Sequence, residues 1–138
     1  MKTKQDAAPL FEAVFNHAKK RMVSFHTPGH KNGRSIDKKL LAFTGKNVYY
    51  FDVTVFPDVD SLHDPTKCIK QAQELMAKAY GVEQSLFLVN GSSSGNQAMF
   101  LSACKPGDSI ILSRNIHKSV LGGIILAGLW PIWLQPKI

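Results

Sequence analysis

Apolar residues recur at helical spacing near the start of the chain, where Leu10, Phe11, Val14, Phe15, Ala18 and Met22 fall on one stripe. The pattern predicts an amphipathic helix over Pro9 to Met22, with the proline acceptable in its first turn. The next stretch, Phe25 to Arg34, carries Pro28, Gly29 and Gly33 and is predicted to be irregular, with a short helix over Ile36 to Phe43 after it. Asp64 and Pro65 read as an N-cap and first-turn proline for a helix running to Tyr80, whose buried face is Ile69, Ala72, Leu75, Met76 and Ala79. Gly81 ends it.

Beyond Gly81 the pattern changes to short apolar runs separated by helices. Strands are predicted at Ser85 to Val89, Ser109 to Leu112 and Ile132 to Leu134. Helices are predicted at Ser94 to Cys104 and at His117 to Ala127, with Gly128 near the second one's end and a turn at Pro106, Gly107 and Asp108. Continuously apolar strands alternating with helices imply an α/β architecture: an N-terminal helical segment, then β-α-β-α-β on a mainly parallel sheet. Such a sheet needs further neighbours to be buried, so the expectation is an incomplete fold, the first part of a larger domain.

A chain of 138 residues is about one domain long, and 44% hydrophobic with 20% charged residues is ordinary globular composition. The formal charge of +7 raises nucleic acid as a partner, but its distribution removes that reason. Residues 1–46 hold ten Lys and Arg against three Asp and Glu, while residues 47–138 hold seven of each. The excess reads as solvated helix faces around Lys19, Lys20, Arg21, Lys38 and Lys39, and no nucleic-acid partner is expected. Cys68 and Cys104 have neither disulfide-framework nor zinc spacing and are expected to be buried, reduced thiols; no metal site is expected. The start lacks a signal-type apolar core, and the longest apolar stretch, Val120 to Leu134, is broken by glycines and a proline. A cytoplasmic protein without a membrane segment is the expectation.

The strongest chemical signal is LFLVNGSSSGNQAM, a strand running into Gly91, three serines, a second glycine and a helix. Free N–H groups at a helix start, the helix dipole and the hydroxyls of Ser92, Ser93 and Ser94 together suit an anion such as phosphate. The same residues also suit a tight turn with a simple helix cap. The motif lacks the ending of a nucleotide P-loop and is not a GxGxxG fingerprint. In SRNIHKSV, His117 follows a strand at the end of the sheet where parallel folds place ligands, though a histidine there is also a natural cap or a satisfied buried polar group.

FHTPGHKNG at 25–33, PDVDSLHDPT at 57–66, LVNGSSSGN at 88–96 and RNIHKSV at 114–120, in this order and spacing, resemble the successive motifs of the Orn/Lys/Arg decarboxylase family. The nearer likeness is to the shorter, biosynthetic arginine or lysine type, since no receiver-like wing domain precedes PLFEAV. The resemblance implies the aspartate aminotransferase fold (fold type I), pyridoxal 5'-phosphate as cofactor and decarboxylation of arginine, lysine or ornithine in polyamine biosynthesis. It divides the chain into a basic helical arm with the HTPGHKNG loop, residues 1–46, and the first part of the cofactor-binding large domain, residues 47–138. Gly91, Ser92 and Ser93 are then expected to hold the cofactor phosphate and His117 to stack on its pyridine ring. His26 and His30 are placed near the active-site mouth, toward substrate or a neighbouring subunit, unless they are solvent-exposed loop histidines.

The family's Schiff-base lysine lies in a Ser-x-His-Lys motif that these 138 residues do not contain, so no catalytic residue is assigned and this stretch alone is expected to be inactive. Lys118 and Lys31 follow histidines but belong to other family motifs. Lys67 stands where the family usually has glycine, which is expected to disturb the start of the following helix. The resemblance further implies a homo-oligomer, since active sites of the family form between subunits. Two alternatives remain: a non-catalytic subunit that joins intact ones through its basic N-terminal region, and an aminotransferase-like enzyme of the same fold.

Overall fold

The stripe that begins at Leu10 does form a helix, α1 (Pro9–Lys19), in the computed structural model, which describes residues 4–136. The chain forms two compact units, one ending at Phe87 and the other beginning at Leu88. The charge boundary at residue 46 lies inside the first of them.

In the first unit α1 is followed by α2 (Lys38–Thr44), α3 (Val48–Phe51) and α4 (Cys68–Tyr80), after a single 3-10 turn at Lys4–Asp6. α1 packs against α3 and α4. Its inward side is Leu10, Val14, His17 and Ala18, while Phe11 and Phe15 flank it and meet Phe51, each with ring centroids 6.1 Å away. The helix stops three residues short of the predicted Met22 because Arg21 turns to a φ of 49°. α2 starts where Asp37 accepts hydrogen bonds from the amides of Lys39 and Leu40. α3 was not predicted: four residues are too few to show a period.

The start of α4 corrects the sequence reading. Asp64 and Pro65 lie outside the helix, which begins at Cys68, and the carboxylate that serves its first turn is Asp60. Asp60 accepts from the backbone N–H of Ser61, Thr66, Lys67 and Ile69 at 2.8–3.1 Å and is buried. Lys67 sits at the N-cap with its side chain turned to the Pro57 carbonyl, and the helix forms directly after it. Gly81 caps the other end in the left-handed conformation.

The second unit runs α5 (Gly91–Ala103), β1 (Ser109–Ser113), α6 (Lys118–Ala127) and β2 (Trp130–Leu134). β1 and β2 pair in parallel, with Ile110 opposite Pro131 and Leu112 opposite Trp133. Pro131 has no N–H to give, which is tolerable on an edge strand and is why the sequence pattern starts this strand two residues late. Phe100, Ile124, Ala127 and Leu129 form the core, with Ile110, Leu112, Ile116 and Val120 packed around it. Burial of Phe100 and Ile124, 4% and 2% exposed, contributes about 1.5–3 kcal/mol each.

Two further expectations are corrected. Ser85 to Val89 pairs with no strand among the described residues, so the order is α-β-α-β on a two-stranded sheet. An apolar run becomes a strand only where a neighbour takes its N–H and C=O groups, and here Leu86, Leu88 and Val89 stay exposed. α5 begins three residues before the predicted Ser94, placing Gly91, Ser92 and Ser93 in its first turn. Both cysteines are free; Cys68 is buried and Cys104 half-buried.

Candidate functional site

Gly91 opens α5 at a φ of 71°, a left-handed value that costs a side-chain-bearing residue about 1 kcal/mol or more. A Cβ there would meet nothing within 4 Å, so glycine is required by the turn and not by crowding. The N-cap, Asn90, makes no side-chain hydrogen bond to the helix. The amides of the first turn have no intrahelical acceptor by construction, and among the described residues no side chain accepts from them. The Ser92 and Ser93 hydroxyls are exposed and have no partner among the described residues, whereas Ser94 Oγ donates to the Gly91 carbonyl at 2.7 Å. The result is a row of donors at the positive end of a 13-residue helix.

Four residues on, about 6 Å along the axis, Asn96 joins α5 to α6. Its Nδ2 donates to Ser119 Oγ at 2.8 Å. Ser119 is buried and in turn contacts His117, with Oγ 2.8 Å and its backbone N–H 3.2 Å from Nδ1. His117 is therefore the N-cap of α6, which upholds the cap reading. The cap uses only Nδ1. Nε2 has no partner among the described residues, and the ring is exposed. The starts of α5 and α6 thus lie side by side, at the end of β1 from which the chain leaves for His117.

The charge of this unit favours an anion at that end. Between residues 88 and 136 Lys105, Arg114 and Lys118 face a single carboxylate, Asp108, which accepts from the Lys105 amide in the turn before β1. That turn is at the opposite end of the strand from His117. An anionic group at Gly91, Ser92 and Ser93 would find unpaired donors and, among the described residues of this unit, no carboxylate at that end, and a flat ring would find the exposed imidazole. The residues present fit pyridoxal phosphate.

His26 and His30 belong to the first unit. His26 lies edge-on to Phe56, with centroids 4.7 Å apart, and its Nδ1–H donates to the Thr27 carbonyl. His30 is mostly buried: its ring is tilted against Tyr49, and Nε2 lies 3.3 Å from Asp52 Oδ2 without forming a well-directed hydrogen bond. His30 is thus not a solvated loop histidine, whereas His26 is half-buried and its hydrogen bond lies at the surface. The loop is held by its own polar groups: Asn32 Nδ2 donates to Met22 O and Lys31 Nζ to His26 O.

Besides Asp60, sequence reasoning missed three polar residues that organise these motifs. His17, on the apolar side of α1, is buried against Phe56 and hydrogen-bonds Asp58, which Lys20 also contacts at 2.6 Å. The Lys20 hydrogen bond, outweighing partial burial and helped by His17, lowers the Asp58 carboxyl to about 2. Asn96 and Ser119 stand inside quoted motifs, but only the packing of α5 on α6 makes them a pair. Among the described residues no cluster of His, Cys, Asp or Glu is suited to a metal ion, and no helix is long and apolar enough to cross a membrane.

Comparison with known proteins gives a consistent result. The family description "Orn/Lys/Arg decarboxylase, major domain" matches residues 8–138. The chain is 40% identical over 134 residues to an arginine decarboxylase of Bacillus anthracis, covering 97% of this chain and 27% of that protein. It is 33% identical to lysine decarboxylase LdcA of Pseudomonas aeruginosa, covering 94% of this chain and 18% of the relative. Its structure resembles constitutive lysine decarboxylase of Escherichia coli with a TM-score of 0.81 at 31% identity, over 95% of this chain and 19% of that one. The chain therefore spans about a quarter or less of the length of these relatives.

Proposed function

The chain belongs to the Orn/Lys/Arg decarboxylase family, and on that premise we propose that it supplies the phosphate cradle and the ring-stacking histidine of a pyridoxal-phosphate-dependent decarboxylase of arginine or lysine. The observation that carries this reading is the uncapped start of α5, with free Ser92 and Ser93 hydroxyls, hydrogen-bonded through Asn96 and Ser119 to the exposed ring of His117.

Pyridoxal phosphate, when bound, supplies the electron sink for loss of carbon dioxide. The residues of this chain bind and orient. The first-turn amides of α5 and the two serine hydroxyls take the phosphate, with Gly91 giving the backbone its close approach. His117 covers one face of the ring and excludes water from it. The Ser-x-His-Lys motif that carries the family's Schiff-base lysine is absent from these 138 residues, so no proton-transfer or lysine chemistry is assigned to them. The matched arginine and lysine decarboxylases support a basic amino acid as substrate.

Affinity for pyridoxal phosphate, compared with pyridoxal lacking the phosphate, tests the cradle. The phosphate form should bind more tightly, and Ser92→Ala with Ser93→Ala should remove most of that preference. A hydrogen bond to a charged group is worth about 1.5–3 kcal/mol, or roughly tenfold or more per serine. Equal affinity for both compounds in the unmodified protein would contradict the reading.

A further inference from the structure

We propose that Asn96 and Ser119 are positioning residues that fix the tautomer and orientation of His117; the use they serve rests on the cofactor reading above. Ser119 Oγ accepts from Asn96 Nδ2 at 2.8 Å and lies 2.8 Å from His117 Nδ1, to which it can give its single proton where that nitrogen is an acceptor. The Ser119 amide donates to the same nitrogen at 3.2 Å. With two donors directed at Nδ1, the neutral imidazole carries its proton on Nε2. The ring is held at its inner edge, and its face and Nε2–H are left for a bound group.

Burial makes the arrangement selective. Ser119 is 6% exposed, so water is poorly placed to substitute for either partner. Asn96 stands one helical turn from Ser92 and Ser93. The phosphate cradle and the stacking ring are thereby parts of one hydrogen-bonded unit, and a shift of α5 moves His117 with it. A plain N-cap would need only the Ser119 amide; the Asn96 contact, 23 residues away in sequence, goes beyond capping.

The test is nitrogen NMR of the His117 imidazole in the chain without cofactor, in the unmodified protein and in Asn96→Asp, Ser119→Ala and Ser119→Thr variants. The unmodified protein should show the Nε2–H tautomer in roughly tenfold or greater excess. Ser119→Ala should lower that excess about fivefold, the worth of one neutral hydrogen bond, and Ser119→Thr should restore it. Asn96→Asp is the sharper variant: its carboxylate accepts the serine proton, Oγ then presents a lone pair to Nδ1, and the ratio should fall about tenfold or reverse. Ratios unchanged by Asn96→Asp and Ser119→Ala would overturn the proposal. Should Ser119→Ala disturb folding, the near-isosteric Asn96→Asp decides alone. Loss of pyridoxal phosphate binding with tautomer ratios as described would count against the cofactor reading while sustaining this one.

Discussion

Asp60 shows how much one side chain organises. It holds a φ of 79°, unfavourable for a residue with a Cβ, and four backbone N–H groups converge on its carboxylate. Burial by itself would raise this carboxyl, but the hydrogen bonds from Thr66, Lys67, Ser61 and Ile69 outweigh it and hold it well below the usual carboxylate range. A lowered folded-state value means the stabilisation is complete above the unfolded value near 4 and disappears as pH falls through the folded one. Asp60→Asn should therefore cost about 2 kcal/mol at pH 7, followed as urea unfolding of α4 amides by NMR. The difference from the unmodified protein should shrink only below about pH 4; a difference that grows with acid would contradict the assignment. From sequence the DPT run drew attention to Asp64, because local spacing cannot reveal a carboxylate that folds back from eight residues before the helix. His117 was partly legible: a histidine after a strand and before a helix is both a cap and a ligand candidate, and the structure shows the cap, made through Nδ1 alone.

Between elements, the decisive contact is α5 on α6. A Cβ added at Gly123 would lie 2.6 Å from the ring of Phe100 and 3.4 Å from the Gln97 backbone, so glycine there lets the helices approach closely enough for Asn96 to reach Ser119. Gly123→Val should destabilise this unit by about 1–3 kcal/mol through overpacking and break the Asn96 to Ser119 bond one turn away. Thermal unfolding followed by Trp130 and Trp133 fluorescence, together with the His117 tautomer ratio, measures both effects. An unchanged melting temperature would show that the helices have room to separate. α1 and α4 were legible because their apolar period spans several turns, and the left-handed glycines after α4 and α6, Gly81 and Gly128, fell where the pattern stops. Their other ends depend on non-local groups, as with Asp60, or on a single backbone reversal, as at Arg21. The strand at Ser85 to Val89 was misread because an apolar run states a preference for burial without supplying the neighbour that pairs with it.

At the scale of the whole chain, one side of the two-stranded sheet packs on its core while the other leaves Ile111, Trp130, Ile132 and Leu134 exposed. Two strands with such a face are marginal alone, in keeping with a stretch that corresponds to 27% of a matched arginine decarboxylase. The distribution of charge sets the competing outcome for any anionic ligand. Ten Lys and Arg lie in residues 1–46, far in sequence from Gly91, and would attract a phosphate-bearing aldehyde without any specific cradle. The most direct measurement is therefore an amide-resolved NMR titration of the chain with pyridoxal phosphate. The account predicts saturable shifts centred on Gly91, Ser92 and Ser93, accompanied by His117 ring signals. Shifts confined to the surroundings of Lys19, Lys20, Lys38 and Lys39, with α5 unmoved, would contradict it.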